Sequence, residues 1–139
     1  MAQTKVTLRN LSGASTALGW SGSRSLCIDR SESAGGLGVG FNGGELLLLA
    51  VGGCYFNDLF REAAKMGIEV DKVSIEVEAD WAGEPLRATN LSFSVKVESP
   101  ASRSRIEELI LHTDRVAEIP NSLRYGTEVK LRSFEAIST

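Results

Sequence analysis

Cys54 follows two glycines, Gly52-Gly53, at the end of the apolar run Leu46-Leu47-Leu48-Leu49-Ala50-Val51. Held as a thiolate, such a residue is a nucleophile and a redox group; protonated on an apolar helix, it is a small hydrophobe. The pattern alone favours inert packing. A glycine inside a helix costs about 1 kcal/mol relative to alanine. An adjacent pair therefore predicts close approach of another backbone or a bound group at that level. Asp58, four residues on, shares the face of Cys54. A carboxylate there opposes the thiolate unless an arginine lies between.

The other residues able to do chemistry are sparse. Cys27 is the second cysteine and His112 the single histidine. Cysteines this dispersed do not build a metal site of the usual kind with it. His112 lies off the apolar stripe of its helix and reads as a surface residue. There is no Cys-x-x-Cys, which excludes a thioredoxin-like cycle, and no Ser-His-Asp arrangement. Gly35-Gly36-Leu37-Gly38-Val39-Gly40 lacks the Gly-Lys-Ser/Thr ending of a phosphate loop. It reads as a flexible or tightly turning connector. No cofactor and no metal are expected.

The elements that must position Cys54 follow from hydrophobic periodicity. Residues 3–30 alternate in short runs: Val6 and Leu8; Thr16, Leu18 and Trp20; Leu26 and Ile28. Breaks at Ser12-Gly13 and Ser21-Gly22-Ser23 suit tight turns, so three antiparallel strands are expected. Residues 31–44 form the glycine-rich connector. Asn42 and Glu45 fit a capping box for a helix running to Met66, with Gly67 as its left-handed stop. The first three turns are apolar on every side, which predicts burial all round.

Two strands follow. Val73, Ile75, Val77, Ala79 and Trp81 alternate with Ser74, Glu76, Glu78 and Asp80, and Leu91, Phe93, Val95 and Val97 repeat the pattern. A second helix begins near Ser99 or Ser102, carries Ile106, Leu109, Ile110, Thr113 and Val116 on one stripe, and stops at Pro120. Thr127, Val129 and Leu131 predict a last strand. Hairpin-joined strands with helices between them make the class α+β: antiparallel sheets with a long buried central helix and a second helix, in one domain over 1–139.

Composition is that of a globular domain: 139 residues, 42% apolar and 24% charged. The net charge of −3 comes from mixed acidic and basic residues, so nucleic-acid binding is not expected. No run reaches the roughly 18–20 apolar residues of a membrane span, and the N-terminus has no apolar signal core. Two cysteines are too few for a disulfide framework. The cytoplasm is the expected compartment, with both cysteines as free thiols.

Asp29-Arg30-Ser31-Glu32, then Gly35-Gly36, then Glu45 leading through the Leu-rich helix to Gly52-Gly53-Cys54, resembles the central segment of the OsmC/Ohr family of thiol-dependent peroxide reductases. Gly67-Ile68-Glu69-Val70-Asp71 with the Val73 to Trp81 strand, and Ile119-Pro120-Asn121-Ser122-Leu123, extend the resemblance over residues 26–132. It implies an intertwined homodimer. It also implies that Cys54 is the peroxidatic cysteine, whose thiolate attacks a hydroperoxide and becomes a sulfenic acid. A second cysteine would then condense with it, and external dithiols would reset the enzyme.

This chain departs from the family pattern. The resolving cysteine falls at Ala117, and Cys27 is the one substitute. The thiolate-stabilising arginine is expected from the N-terminal part, with Arg24 and Arg30 as candidates and Arg124 as a third. Glu45 lies on the far side of a straight helix from Cys54, which favours its capping role. It reaches a site only if the glycine pair bends the helix or across a dimer. The first expectation is one-cysteine reduction of organic or small hydroperoxides in oxidative-stress defence, with an external thiol as reductant. The alternative is a non-catalytic protein of the same fold that binds an apolar small molecule at the dimer interface. A redox sensor ranks third.

Overall fold

The computed structural model describes residues 2–139. It forms two compact units that divide between Leu49 and Ala50. The division falls inside the long helix and not at the glycine-rich connector.

The first unit holds a three-stranded antiparallel sheet, β1 (Thr7–Asn10), β2 (Ala17–Ser21) and β3 (Arg24–Ile28), in chain order. The register pairs Leu18 with Cys27 and Trp20 with Ser25. Gly22, with φ at +61°, makes the β2–β3 turn, a conformation that glycine adopts at no steric cost. The connector is tight. Asp29, buried just past β3, organises it as an acceptor. The amides of Leu37 (2.9 Å) and Val39 (3.2 Å) donate to Oδ2, and the Thr16 hydroxyl donates to Oδ1 (3.1 Å). A Cβ on Gly36 would sit 2.1 Å from the Arg30 carbonyl oxygen, and one on Gly40 2.5 Å from that of Cys27. The glycines are there because the loop lies directly against the end of β3.

Helix α1 (Gly43–Met66) starts on the expected capping box. The Asn42 amide donates to Glu45 (2.9 Å) and the Glu45 amide to the Asn42 side chain (2.8 Å). It ends at Gly67, with φ at +67°. Its apolar residues are not buried all round. Leu49, Phe56 and Phe60 are exposed, and the last two meet at a tilt with ring centroids 5.1 Å apart. No helix is long and apolar enough to cross a membrane among the described residues.

In the second unit α1 packs on the hairpin of β4 (Lys72–Ala82) and β5 (Arg87–Glu98), with α2 (Arg103–Val116) completing the core. Tyr55, Leu59 and Leu109 are fully buried, each worth about 1.5–3 kcal/mol. The hairpin alternates as its sequence predicts, Val77 opposite Phe93 and Ile75 opposite Val95. Ser102, and not Ser99, caps α2 by accepting the Arg105 amide; Ser99 instead donates to the Glu69 carbonyl.

Two further expectations fail. Pro120 does not stop the second helix: α2 ends at Val116, and a third helix, α3 (Glu118–Arg124), carries Pro120 in its first turn. Proline is tolerated there because the amide it lacks would have no intrahelical partner. The last strand is also absent. Residues 125–139 adopt no regular structure, and Val129, Leu131, Phe134 and Ile137 are exposed. An alternating run becomes a strand only against a partner edge, and this segment has none among the described residues.

The glycine pair is explained in half. A Cβ on Gly52 would lie 3.0 Å from Val77 Cγ2 and 3.6 Å from Ile75 Cγ2, whereas one on Gly53 would meet nothing within 4 Å. The close approach is to side chains of β4 and not to a backbone. Gly53→Ala should therefore stabilise the fold by about 0.5–1 kcal/mol. Gly52→Ala should gain less or destabilise, and urea denaturation of the two variants checks the order.

Asp29 supplies a second test. Burial works against its ionised form, but hydrogen bonds from Val39, Arg30, Thr16 and Leu37 prevail and hold the carboxyl below its ordinary 3.8. A depressed folded value contributes stability that is fully present above the unfolded value and lost as pH falls through the folded one. Thermal melts should place Asp29→Asn below wild type near neutrality, with the gap narrowing as pH drops below 3.8. A gap independent of pH would remove the charge from the explanation.

Candidate functional site

Cys54 is half-buried on the second-unit part of α1. Its sulfur has two polar neighbours. The thiol points at Asp58 Oδ2, 3.8 Å away one turn on, and the backbone N–H of Ile119 donates to the sulfur at 3.4 Å. Ile119 is the second residue of α3, so its amide is one of the unpaired donors that every helix start leaves. Asp58 is buried, and Arg61 Nη1 pairs with it at 3.0 Å. The same guanidinium reaches Glu62 (3.4 Å) and, across to α3, Glu118 (3.8 Å). Cys54, Asp58, Arg61 and Glu118 thus tie α1 to the first turn of α3.

Glu62 anchors the next turn. Burial opposes its charge, but the Lys65 ammonium, then Arg61 and His112, hold its carboxyl below the usual carboxylate range. Lys65 lies 3.2 Å and His112 Nε2 3.8 Å from it. His112 therefore faces a buried carboxylate. It is not simply a surface residue.

Ala117 is fully buried and is the residue between α2 and α3. The position where the family resemblance expects a resolving cysteine therefore belongs to the turn that meets Cys54. Arg24 and Arg30 are exposed residues of the first unit; Arg24 donates to Ser21 Oγ at 3.4 Å. Glu45 is the capping-box carboxylate of that unit. Arg124 is engaged with Asp114 at 2.6 Å and with the Asn121 side chain. Cys27 pairs across from Leu18 in the first unit, and both cysteines are free thiols.

Arg61 and the Ile119 amide are absent from the expectations. The spacing Asp58-x-x-Arg61 was a readable signal for an i, i+3 pair. The Ile119 contact spans 65 residues and has no local signature. No group of three potential ligands able to hold a metal occurs among the described residues.

Beside this turn lies an open cleft of about 640 Å³, lined by Val51, Tyr55, Phe93, Val95, Ile110, Pro120 and Leu123, with Asp114 and Arg124. The Tyr55 hydroxyl donates to the Ile110 carbonyl at 2.8 Å. Its phenol is pushed up to about 12 by burial and the Asp114 charge, so it stays protonated. Cys54 itself is not among the lining residues.

The sequence profile of OsmC-like proteins matches residues 34–132. The chain belongs to the OsmC-like family. An OsmC-like protein of Mycoplasma pneumoniae superposes with a TM-score of 0.78 at 18% identity, over 91% of this chain and 89% of that one. The organic hydroperoxide resistance protein OhrB of Bacillus subtilis superposes at 0.63 with 20% identity, over 90% and 93% of the chains. A Legionella pneumophila structure described as an organic hydroperoxide resistance protein superposes at 0.64 with 17% identity, over 89% and 90%. At these identities the structural matches establish the OsmC-like fold. No curated protein matches the chain significantly.

If Arg61 offsets Asp58 beside the sulfur, Arg61→Ala should lower stability by about 1 kcal/mol, a modest loss because the guanidinium is partly exposed. It should also slow alkylation of Cys54 by iodoacetamide. An unchanged alkylation rate in a folded variant would assign Arg61 to stability alone.

Proposed function

We propose that this OsmC-like chain reduces organic or small hydroperoxides through Cys54 in a one-cysteine cycle serving oxidative-stress defence. The observation that carries the reading is the Ile119 N–H on the Cys54 sulfur. The amide donates to the sulfur from one side, and on the other Arg61, shared with Glu62 and Glu118, pairs with the Asp58 that the thiol faces. The hydroperoxide resistance named for the Bacillus and Legionella relatives supports the same chemistry.

In the proposed step the Cys54 thiolate attacks one oxygen of the O–O bond. An alcohol or water leaves, and a sulfenic acid remains on sulfur. With alanine at 117, an external thiol reduces it: the first thiol forms a mixed disulfide and releases water, and a second frees Cys54. Arg24, Arg30 and Glu45 retain a place in the proposal as residues that a second subunit could bring to the thiol. The working form is a homodimer. The exposed Phe56–Phe60 pair on α1, each residue 41% exposed, supports it, as do the exposed apolar residues Val129 and Leu131. The cytoplasm, where both thiols stay reduced, is the proposed compartment.

The second reading, apolar small-molecule binding without catalysis, is favoured by the cleft beside Tyr55 and Pro120. The pairing of Asp58 with Arg61 weakens it, because the carboxylate no longer stands uncompensated beside the thiol. Native mass spectrometry of freshly purified protein separates the two: a co-purifying ligand supports binding.

Hydroperoxide consumption with a dithiol reductant should be lost in Cys54→Ser and retained in Cys27→Ser. Equal turnover in the Cys54 variant would remove the thiol from the mechanism.

A further inference from the structure

Resting on that reading, we infer that oxidised Cys54 is stored as a cyclic sulfenamide with the backbone nitrogen of Ile119. A sulfenic acid that has no partner thiol can condense with a backbone nitrogen instead. The nitrogen that meets this requirement is already in place, 3.4 Å from the sulfur with its N–H directed at it. In a planar amide the substituent on nitrogen occupies the place of the hydrogen. The N–H···S line is therefore the line along which the S–N bond forms.

Three further features fit. The amide is in the first turn of α3 and gives up no intrahelical hydrogen bond, since the first backbone bond there is Asn121 to Ala117 at 3.1 Å. Asp58, 3.8 Å from the sulfur, is an acceptor beside the reacting thiol. Alanine at 117 leaves this turn without a thiol of its own to compete.

The step balances. The hydroperoxide converts the thiol to sulfenic acid and leaves as an alcohol. The Ile119 nitrogen then displaces the sulfenic oxygen, which departs with the amide proton as water. No second oxidant is consumed. An external thiol opens the S–N bond, returning hydrogen to nitrogen and forming a mixed disulfide on Cys54, and a second thiol releases Cys54 reduced. The sulfenamide takes over the protective role of a disulfide, since its sulfur carries no sulfenic oxygen to begin the climb to sulfinic acid.

The test is intact and peptide mass spectrometry of Cys27→Ser protein after one equivalent of cumene hydroperoxide without thiol. That variant removes the Cys27–Cys54 disulfide, which would have the same mass change. The expected product is a monomer two hydrogens lighter than the reduced protein. Dithiothreitol should restore it, and trypsin should leave peptides 31–61 and 116–124 covalently joined. A protein one oxygen heavier that reacts with dimedone overturns the sulfenamide and leaves hydroperoxide chemistry at Cys54 standing. A Cys54–Cys54 linked dimer overturns it in the same way. An unmodified Cys54 overturns both.

Discussion

The contact between the Cys54 sulfur and the Ile119 amide joins two elements that are far apart in the chain. It exists because α2 stops at Val116 and the chain turns at the buried Ala117 into α3. A proline in the first turn suits that restart, since the helix has no use for its missing amide. One consequence is chemical: a helix start supplies a donor to a thiol that sits in the middle of its own helix. Another is architectural, because Arg61 reinforces the same junction from α1 through Asp58 and Glu118.

Asp58 shows how the balance of charge is kept. A carboxylate on the face of a cysteine opposes the thiolate, and burial would make it costlier still. The Arg61 guanidinium offsets it at 3.0 Å and remains partly in water, so the pair is not a fully desolvated ion pair. Glu62, the residue after Arg61, is held below the usual carboxylate range by Lys65 together with the same Arg61 and His112. The stretch from Cys54 to Lys65 thus alternates buried anions with exposed cations along one side of α1. The opposite requirement, close packing on β4, is met by Gly52.

Local signals in the sequence carried much of the fold. The capping box at Asn42 and Glu45, the stop at Gly67, the Gly22 turn and the alternation of β4 and β5 each depend on neighbours within a few residues. What lay outside reach depends on tertiary placement. Asp29 stood out as part of an acidic-basic pair, but its work is to accept amides eight and ten residues away. Pro120 reads equally as a stop or as a first-turn residue, and which holds is decided by whether a new helix packs there. Val129 and Leu131 have the period of a strand but no edge to pair with among the described residues. For the site, Cys54 was legible from its glycines and the family resemblance. The Ile119 amide was not, since a backbone group has no side-chain signature.

The central claim is that Cys54, seated against the first turn of α3, is the thiol that meets hydroperoxide. Its most direct measurement is the rate at which each cysteine loses its free thiol on mixing with one equivalent of organic hydroperoxide, followed by quenched alkylation and peptide mass spectrometry. The account predicts that Cys54 is consumed stoichiometrically and much faster than Cys27 in the same molecules. Loss of Cys27 at an equal or greater rate, or a Cys54 that stays fully alkylatable, would contradict it.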